Sequence, residues 1–484
     1  MKHTKIVATI SDLRCDVDFI KDLYQAGMNV VRMNTAHIDD EGFNRVISNT
    51  RAVSNKIAIL VDTKGPEIRT TKTSDGEPIH LITGNKVKII GDPTVLSTAD
   101  CIAVSYTSIV QDVAVGCDIL FDDGEIDLKV IDKGDDFLSC EVLNDGELGS
   151  RKSVNVPGVR INLPSLTEKD IKNIGLAIKL DVDFIAHSFV RNKRDILDIQ
   201  KILDEQHSQI KIIAKIENQE GVDNIDEILE VAYGVMIARG DLGIEVAQEK
   251  IPGIQRLLIR KAVNAKKPVI VATQMLHSMI NYPRPTRAEV TDVANAIYYR
   301  TDAIMLSGET AYGKYPLEAV QTMSRIAEEA ESGKVPENDI KIKYSANSKE
   351  PDTTAYLAEQ TAKAAYKLGT KAIITDSFTG RTARYLAAFR STNPVLAICY
   401  KERTMRELAL SYGVFGSYQA ERADSREYLL DAMSDLREKG KILDEDYISY
   451  LSGSFGPGAG TTFLEINQVK KILHDQKRYK LPGF

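Results

Sequence analysis

Lys215 and Glu217 stand two residues apart at the end of the apolar run Ile212-Ile-Ala-Lys-Ile-Glu-Asn218. On a β-strand that spacing turns both side chains to one face. Asp241 follows the next apolar run, within Ala238-Arg-Gly-Asp-Leu-Gly243, and its two glycines make this stretch read as a loop. A lysine and two carboxylates brought together from neighbouring strand ends can hold a divalent cation and a phosphate in one pocket. Mg²⁺ takes hard oxygen ligands and completes its shell with water and phosphate oxygens. Lysine places a compact positive charge where negative charge moves. A buried Lys–Glu pair beside a Gly-rich turn would use the same residues for structure alone, so the rest of the chain has to separate the two readings.

Eight short Val/Ile/Ala-rich runs, each followed by a turn and a helix-like stretch, predict strands at 5–9, 29–33, 57–61, 183–186, 211–215, 234–238, 268–272 and 302–306. Continuous apolar runs indicate parallel strands covered on both faces. Eight βα units predict a (β/α)8 barrel, whose chemistry sits at the carboxyl ends of its strands. Those ends carry Arg32 and Asn34, Asp62 and Thr63, His187 and Ser188, Lys215 and Glu217, Asp241, Thr273 and Gln274, and Ser307. A purely structural barrel has no need of polar groups at so many strand tips, so the pattern favours an enzyme.

The spacing breaks once. Roughly 120 residues separate the third run from the fourth, too many for an ordinary connection. Within 70–163 the runs become short and alternating, punctuated by Gly84, Gly91, Asp122-Asp-Gly124 and Gly146, which predicts a small inserted β-barrel. An insertion leaving the carboxyl end of a barrel strand overhangs the site and suits a mobile lid. The barrel is thus expected to comprise 1–69 and 164–335. After a charged stretch, 345–484 reads as a carboxyl-terminal α/β domain: a helix over 353–368 with Thr353 as N-cap, a strand over 371–375, a helix over 381–390 and a strand over 394–399.

A chain of 484 residues suits about three such domains. A net charge of −7 argues against nucleic acid as a main partner. The five cysteines (15, 101, 117, 140 and 399) are unpaired in spacing and odd in number, which fits a reducing compartment. With no apolar leader in the first residues and no run of membrane-spanning length, a cytoplasmic location is expected.

Longer motifs run along essentially the whole chain: Gly27-Met-Asn-Val-Val-Arg32, DTKGPEIRT from Asp62, KIEN from Lys215, ARGDLG from Ala238, ATQML from Ala272, PRPTRAEV from Pro283 and MLSGETA from Met305. In these the sequence resembles the pyruvate kinase family. The resemblance implies a barrel, an inserted lid and a regulatory carboxyl-terminal domain. It also implies transfer of the phosphoryl group of phosphoenolpyruvate to ADP, with Mg²⁺ and K⁺, in a homotetramer. It makes Lys215 the catalytic lysine, Glu217 and Asp241 the Mg²⁺ ligands, and Arg32 a phosphate-binding arginine. Gly240 becomes a backbone contact to the substrate carboxylate, and Thr273 part of a proton relay to the enolate, together with Ser307; a strand-end hydroxyl satisfied by backbone is the other reading of Thr273. Arg69, Lys152, His37 and Asn34 match nucleotide-contacting positions, with Arg151 able to stand in for Lys152, and Asp123 either reaches the nucleotide's metal or merely shapes its turn.

Asn34, Asp62 and Thr63 match three of the family's four K⁺ positions. The fourth is Ala36 where a serine is usual, so water or Thr35 would have to fill the gap. Ile10-Ser-Asp-Leu-Arg-Cys15 replaces the usual Gly-Pro-Ala-Ser, and His277 stands where a glutamate is usual. In the third domain Thr375, Ser377, Thr379, Gly380, Arg381 and Thr382 resemble a sugar-phosphate effector loop, with residues 453–460 as a second loop. Hydroxyls and amides at a helix start suit an anion, although an N-capped helix followed by a Gly-rich turn looks the same. Two other classes remain at this point: a catalytically weak metabolite sensor, and a carbon–carbon lyase acting on phosphoenolpyruvate, which has no use for a lid or for Arg69.

Overall fold

The computed structural model describes residues 2–36, 38–333, 352–420, 425–453 and 460–478. Three strands open the chain: β1 (Lys5–Thr9), β2 (Val30–Asn34) and β3 (Ala58–Asp62). Nine short ones follow: β4 (Ile68–Arg69), β5 (Ile79–Leu81), β6 (Lys86–Ile90), β7 (Cys101–Ala103), β8 (Asp118–Phe121), β9 (Ile126–Lys133), β10 (Leu138–Val142), β11 (Gly146–Leu148) and β12 (Ser153–Asn155). Then come β13 (Phe184–His187), β14 (Lys211–Ile216), β15 (Gly234–Ala238), β16 (Val269–Ala272) and β17 (Ala303–Leu306). The last five are β18 (Ala372–Ser377), β19 (Val395–Cys399), β20 (Val414–Tyr418), β21 (Tyr447–Ser452) and β22 (Phe463–Gln468).

The eight strands expected from the apolar runs close into one parallel barrel, in the order β1-β17-β16-β15-β14-β13-β3-β2. Pleating sorts their side chains. Ile6, Val31, Ile59, Ile185 and Ala214 pack outward with the surrounding helices. Val7, Val30, Leu60, Phe184 and Ile213 fill the interior. Further inward positions towards the carboxyl ends are Thr9, Arg32, Asp62, Lys215 and, one step beyond Ala186, Ser188, so the same alternation that fills the core lifts polar groups into the barrel mouth. Phe184 is wholly buried, and cutting it to alanine would cost about 3–5 kcal/mol.

In the insertion, seven strands pair in the order β4-β12-β8-β9-β10-β6-β7, and an isolated bridge between Thr70 and Val104 joins the two edges. Its core is separate, built on Ile89, Phe121, Leu128 and Leu138. Arg69 belongs to this sheet, paired with Ser153 of β12. Lid pairing therefore starts at Ile68, two residues before the expected lid start at residue 70.

The carboxyl-terminal sheet, β20-β19-β18-β21-β22, is parallel except for its β22 edge. Its helix Thr353–Leu368 has the expected span, but the N-cap is Asp352, whose carboxylate accepts from Ala355 N, and not Thr353. This unit closes the barrel's amino-terminal floor: Leu410 joins the interior apolar cluster, and Arg406 Nε donates to Asp183, just ahead of β13. Arg390, its side chain wholly buried, pairs with Asp302 ahead of β17 at 2.9 Å. No helix among the described residues is long and apolar enough to cross a membrane.

Candidate active site

The mouth is organised around Lys215. Its Nζ lies 2.7 Å from Ser188 Oγ, 3.0 Å from Asp62 Oδ1 and 2.8 Å from Glu217 Oε1. Burial pulls the ammonium's pKa down, but Asp62, Glu217 and Asp241 outweigh that and hold it above the usual lysine range. Lys215 is a fixed cation, unsuited to giving up a proton. Asp62 likewise overcomes burial, because Lys215 and Arg32 keep it ionised below the normal carboxylate range. Arg32 donates through Nε and Nη2 to Asp62 Oδ2 and through Nη1 to Thr9 Oγ1.

Glu217 is different. Burial, with the charge of Asp241 adding to it, pushes its pKa above the usual carboxylate range against the pull of Lys215. One oxygen, Oε2, accepts from Phe189 N at 2.7 Å; the other, Oε1, faces Lys215 Nζ at 2.8 Å. A buried carboxylate beside a second carboxylate fits a hard divalent cation that would take the rest of its shell from water and phosphate. Among the described residues no group of three or more His, Cys, Asp or Glu is arranged to hold a metal ion.

Asp241 lies in the first turn of the helix Arg239–Glu245, where the glycines had suggested a loop. It lines a cleft of about 510 Å³ between barrel and lid, opposite Arg69, Asp123 and Asn155. Lys215, Glu217 and Arg32 are not part of that wall. Arg69 is held by Glu67 at 2.7 Å and by the carbonyl of Arg151. Lys152, expected beside the nucleotide, pairs with Asp122 and does not line the cleft, because the strained turn through Asp122 and Asp123 brings that carboxylate to it. Asp123 does line the cleft, its carboxylate accepting from Ser153 Oγ at 2.6 Å. Asn155 Nδ2 reaches Glu245 Oε1 across to the barrel at 3.2 Å.

Thr273 Oγ1 accepts from Gly240 N at 2.8 Å and donates to the Ala272 carbonyl at 2.7 Å, so its hydroxyl and that amide satisfy each other. Ser307 Oγ is buried and has no hydrogen-bond partner among the described residues. Asn34, Asp62 and Thr63 meet on the paired tips of β2 and β3. Asn34 Oδ1 accepts from Ala36 N, Thr63 Oγ1 accepts from Ser188 N, and both Asp62 oxygens already face cations. These residues fit a monovalent cation in position but have few oxygens to spare. Thr35, which could fill the gap, has a buried hydroxyl that donates to the Asp62 carbonyl at 2.8 Å, and a donating hydroxyl keeps its lone pairs for a cation. His37 lies outside the described residues.

In the carboxyl-terminal unit Ser377 Oγ accepts from Gly380 N, and Gly380 takes a left-handed conformation to start the helix Arg381–Ala388. Thr379 is exposed, and Arg381, more than half exposed, stacks on Tyr385. Thr382 Oγ1 meets Thr461 Oγ1 at 2.8 Å. Thr375 faces away: its hydroxyl is buried and donates to Leu451 across the sheet. Of the second loop, 454–459 lie outside the described residues. Sequence reasoning missed the backbone of Phe189, left-handed at φ 56°, and the lid contact of Asn155. Neither has a compositional signal.

Fold and site together define a lidded (β/α)8 enzyme with its chemistry in the barrel mouth. Residues 1–320 match the family described as pyruvate kinase, barrel domain, and residues 355–466 match pyruvate kinase, alpha/beta domain. A pyruvate kinase of Borreliella burgdorferi is 46% identical over 477 residues, covering 98% of each chain. One of Bacillus licheniformis is 44% identical over 482 residues, 98% of this chain and 81% of that one. The crystal structure of a pyruvate kinase from Cryptosporidium parvum superposes with a TM-score of 0.91 at 36% identity, covering 97% of this chain and 96% of that one. The chain belongs to the pyruvate kinase family.

Proposed function

We propose that this protein transfers the phosphoryl group of phosphoenolpyruvate to ADP, giving pyruvate and ATP. The observation that carries the reading is Lys215, a permanently protonated lysine fixed by Asp62, Glu217 and Ser188 at the mouth of a lidded barrel. The bond from phosphorus to the enol oxygen breaks, its electron pair remains on that oxygen, and a β-phosphate oxygen of ADP bonds to phosphorus. Such transfers depend on positioning and on charge placed where it develops. Lys215 and Arg32 neutralise the phosphoryl oxygens in flight, and Lys215 also steadies the enolate. The enolate carbon then takes a proton by way of Thr273 and Ser307, whose unpartnered hydroxyl is free to join a water-borne relay.

Glu217 and Asp241 would hold Mg²⁺, which supplies charge neutralisation across the phosphates when bound. Asn34, Asp62 and Thr63 would hold K⁺ more weakly than a four-ligand site. Gly240 N contacts the substrate carboxylate after releasing Thr273. Arg69 and Asp123 engage the nucleotide from the lid side, with Lys152 joining on closure, when it exchanges Asp122 for phosphate; His37 and Asn34 complete the nucleotide site. In this reading the barrel, lid and carboxyl-terminal parts divide as catalytic, capping and regulatory domains. The turn Ser377–Thr382 binds a sugar phosphate, and the protein works as a cytoplasmic homotetramer in glycolysis. A coupled assay for pyruvate formed from phosphoenolpyruvate and ADP, with and without K⁺, tests the reading; no pyruvate under saturating Mg²⁺ rejects it.

A further inference from the structure

At the tip of β16 the chain makes a turn that its residues do not favour. Thr273 and Gln274 are consecutive left-handed residues, with φ of 67° and 54°. Thr273 is the one β-branched side chain in that conformation among the described residues. Such a conformation persists only where the surroundings over-determine it. The surroundings here are one side chain. Arg239 Nη2 donates to the Thr273 carbonyl at 2.7 Å, and Nε points to the Ala272 carbonyl at 3.4 Å. Its other terminal nitrogen, Nη1, meets both carboxylate oxygens of Asp292 at 2.7 Å and Gln255 Oε1 at 3.3 Å. The guanidinium is nearly buried, at 10% exposure.

An ion pair serving only to dock the helix Arg287–Tyr298 against the barrel would leave Nη2 and Nε to solvent or to helix carbonyls. Instead the fork spans Asp292 on one side and the strained kink on the other, a geometry lysine's point charge cannot reproduce. The next residue after Arg239 completes the grip, because Gly240 N holds Thr273 Oγ1. Once substrate takes over that amide, the Arg239 side chain is what still holds the Thr273 carbonyl.

We propose that Arg239, oriented by Asp292, is a positioning residue for Thr273, holding its strained backbone so that the hydroxyl stands where the enolate is protonated. This rests on the reading of Thr273 as part of the proton relay. Arg239 touches neither substrate nor metal in this scheme. Its loss should therefore spare the electrostatic machinery of Lys215, Glu217 and Asp241 and damage the second half of the reaction. Phosphoryl transfer without prompt protonation lets enolpyruvate escape, to become the keto acid later in solution.

The test follows ATP and keto-pyruvate separately in one time course, with phosphoenolpyruvate, ADP and Mg²⁺. ATP is read after quenching, and the keto acid through excess lactate dehydrogenase. In the wild type the two should rise together from the first turnover. In Arg239→Met, ATP should run ahead of keto-pyruvate. The kcat for keto-pyruvate should fall by at least about tenfold, while KM for phosphoenolpyruvate stays within about threefold. Asp292→Asn, at a partly exposed site, should show the same lead in smaller measure and guards against a misfolded Arg239 variant. Thr273→Val is the reference. If it uncouples the products but neither Arg239→Met nor Asp292→Asn does, the positioning role is overturned and the relay stands. Products in step in Thr273→Val would remove the relay reading and this inference with it.

Discussion

Asp62 Oδ1 and Lys215 Nζ lie 3.0 Å apart across strands that are not neighbours, since β13 runs between β3 and β14. Ser188, at the tip of that intervening strand, fills the gap by accepting from Lys215 and donating to the Thr63 carbonyl. The lysine is thereby fixed from three strands at once, which is preorganisation in the sense that electrostatic catalysis requires.

Lys215→Met should lower phosphoryl transfer by at least about 10²–10³-fold, the typical worth of one preorganised electrostatic group. Asp62 keeps Arg32 as partner, so the fold should survive, and thermal melting checks that it does. Turnover near wild type in the pyruvate-coupled assay would sink the assignment.

Glu217→Gln and Asp241→Asn should each weaken Mg²⁺ binding and activity together. Both remove an anionic oxygen from a pair that already repels in the metal-free protein. Calorimetric titration with Mg²⁺ decides the matter, and unchanged affinity in both variants would place the metal elsewhere.

Ala36→Ser should lower the K⁺ concentration needed for half-maximal rate, by returning a hydroxyl to the β2–β3 tip. The wild type should respond to K⁺ only weakly, given how fully Asp62 is engaged. A rate indifferent to K⁺ in both proteins would show that no such site operates.

Stability should fall as pH drops through the range from 6.5 to about 4, because of His187. Burial, outweighing nearby Asp195 and Asp170, lowers its pKa from 6.5 to about 4. Between those values the unfolded chain binds a proton that the folded one does not, so stability rises with pH there and the contribution is complete above 6.5. The full effect is on the order of 3 kcal/mol. Chemical denaturation of His187→Leu across that range should show a flatter acid limb; an unchanged slope would mean other groups carry it.

Arg381→Ala should blunt activation by a phosphorylated metabolite without changing maximal rate, since its guanidinium is exposed beside Thr379 at a helix start. Activation requires tighter binding to the high-affinity state than to the low-affinity one. A screen of hexose mono- and bisphosphates that shifts no saturation curve would remove the effector site and leave the catalytic reading intact.

The barrel was legible because parallel strands buried on both faces leave continuous apolar runs, and their ends point to the chemistry. Lys215 and Glu217 share a face because strand periodicity is strict. What escaped notice depends on backbone geometry. Residues Arg239–Glu245 form a helix despite two glycines: it follows β15 directly with Ala238 as N-cap, and tertiary context overrides propensity there. Asp352 displaces Thr353 as N-cap by being one residue earlier with an equally good acceptor. A two-residue strand such as β4 leaves no periodicity at all, so Arg69's place in the lid sheet could not be read. Thr375, for its part, follows strand alternation into the sheet and away from the turn it was grouped with.

The closed floor of the barrel bears on how such a protein can be divided or inherited. Leu410 plugs the interior, while Arg406 and Arg390 answer Asp183 and Asp302, carboxylates almost wholly shielded from solvent. A gene fragment ending near residue 333 would encode every catalytic group. It would also encode a barrel with an open, greasy base, in which Asp302 loses Arg390 and Asp183 keeps Arg51 as its cation. The barrel base is thus covered by residues of the carboxyl-terminal unit, so a barrel without it needs different residues on that floor.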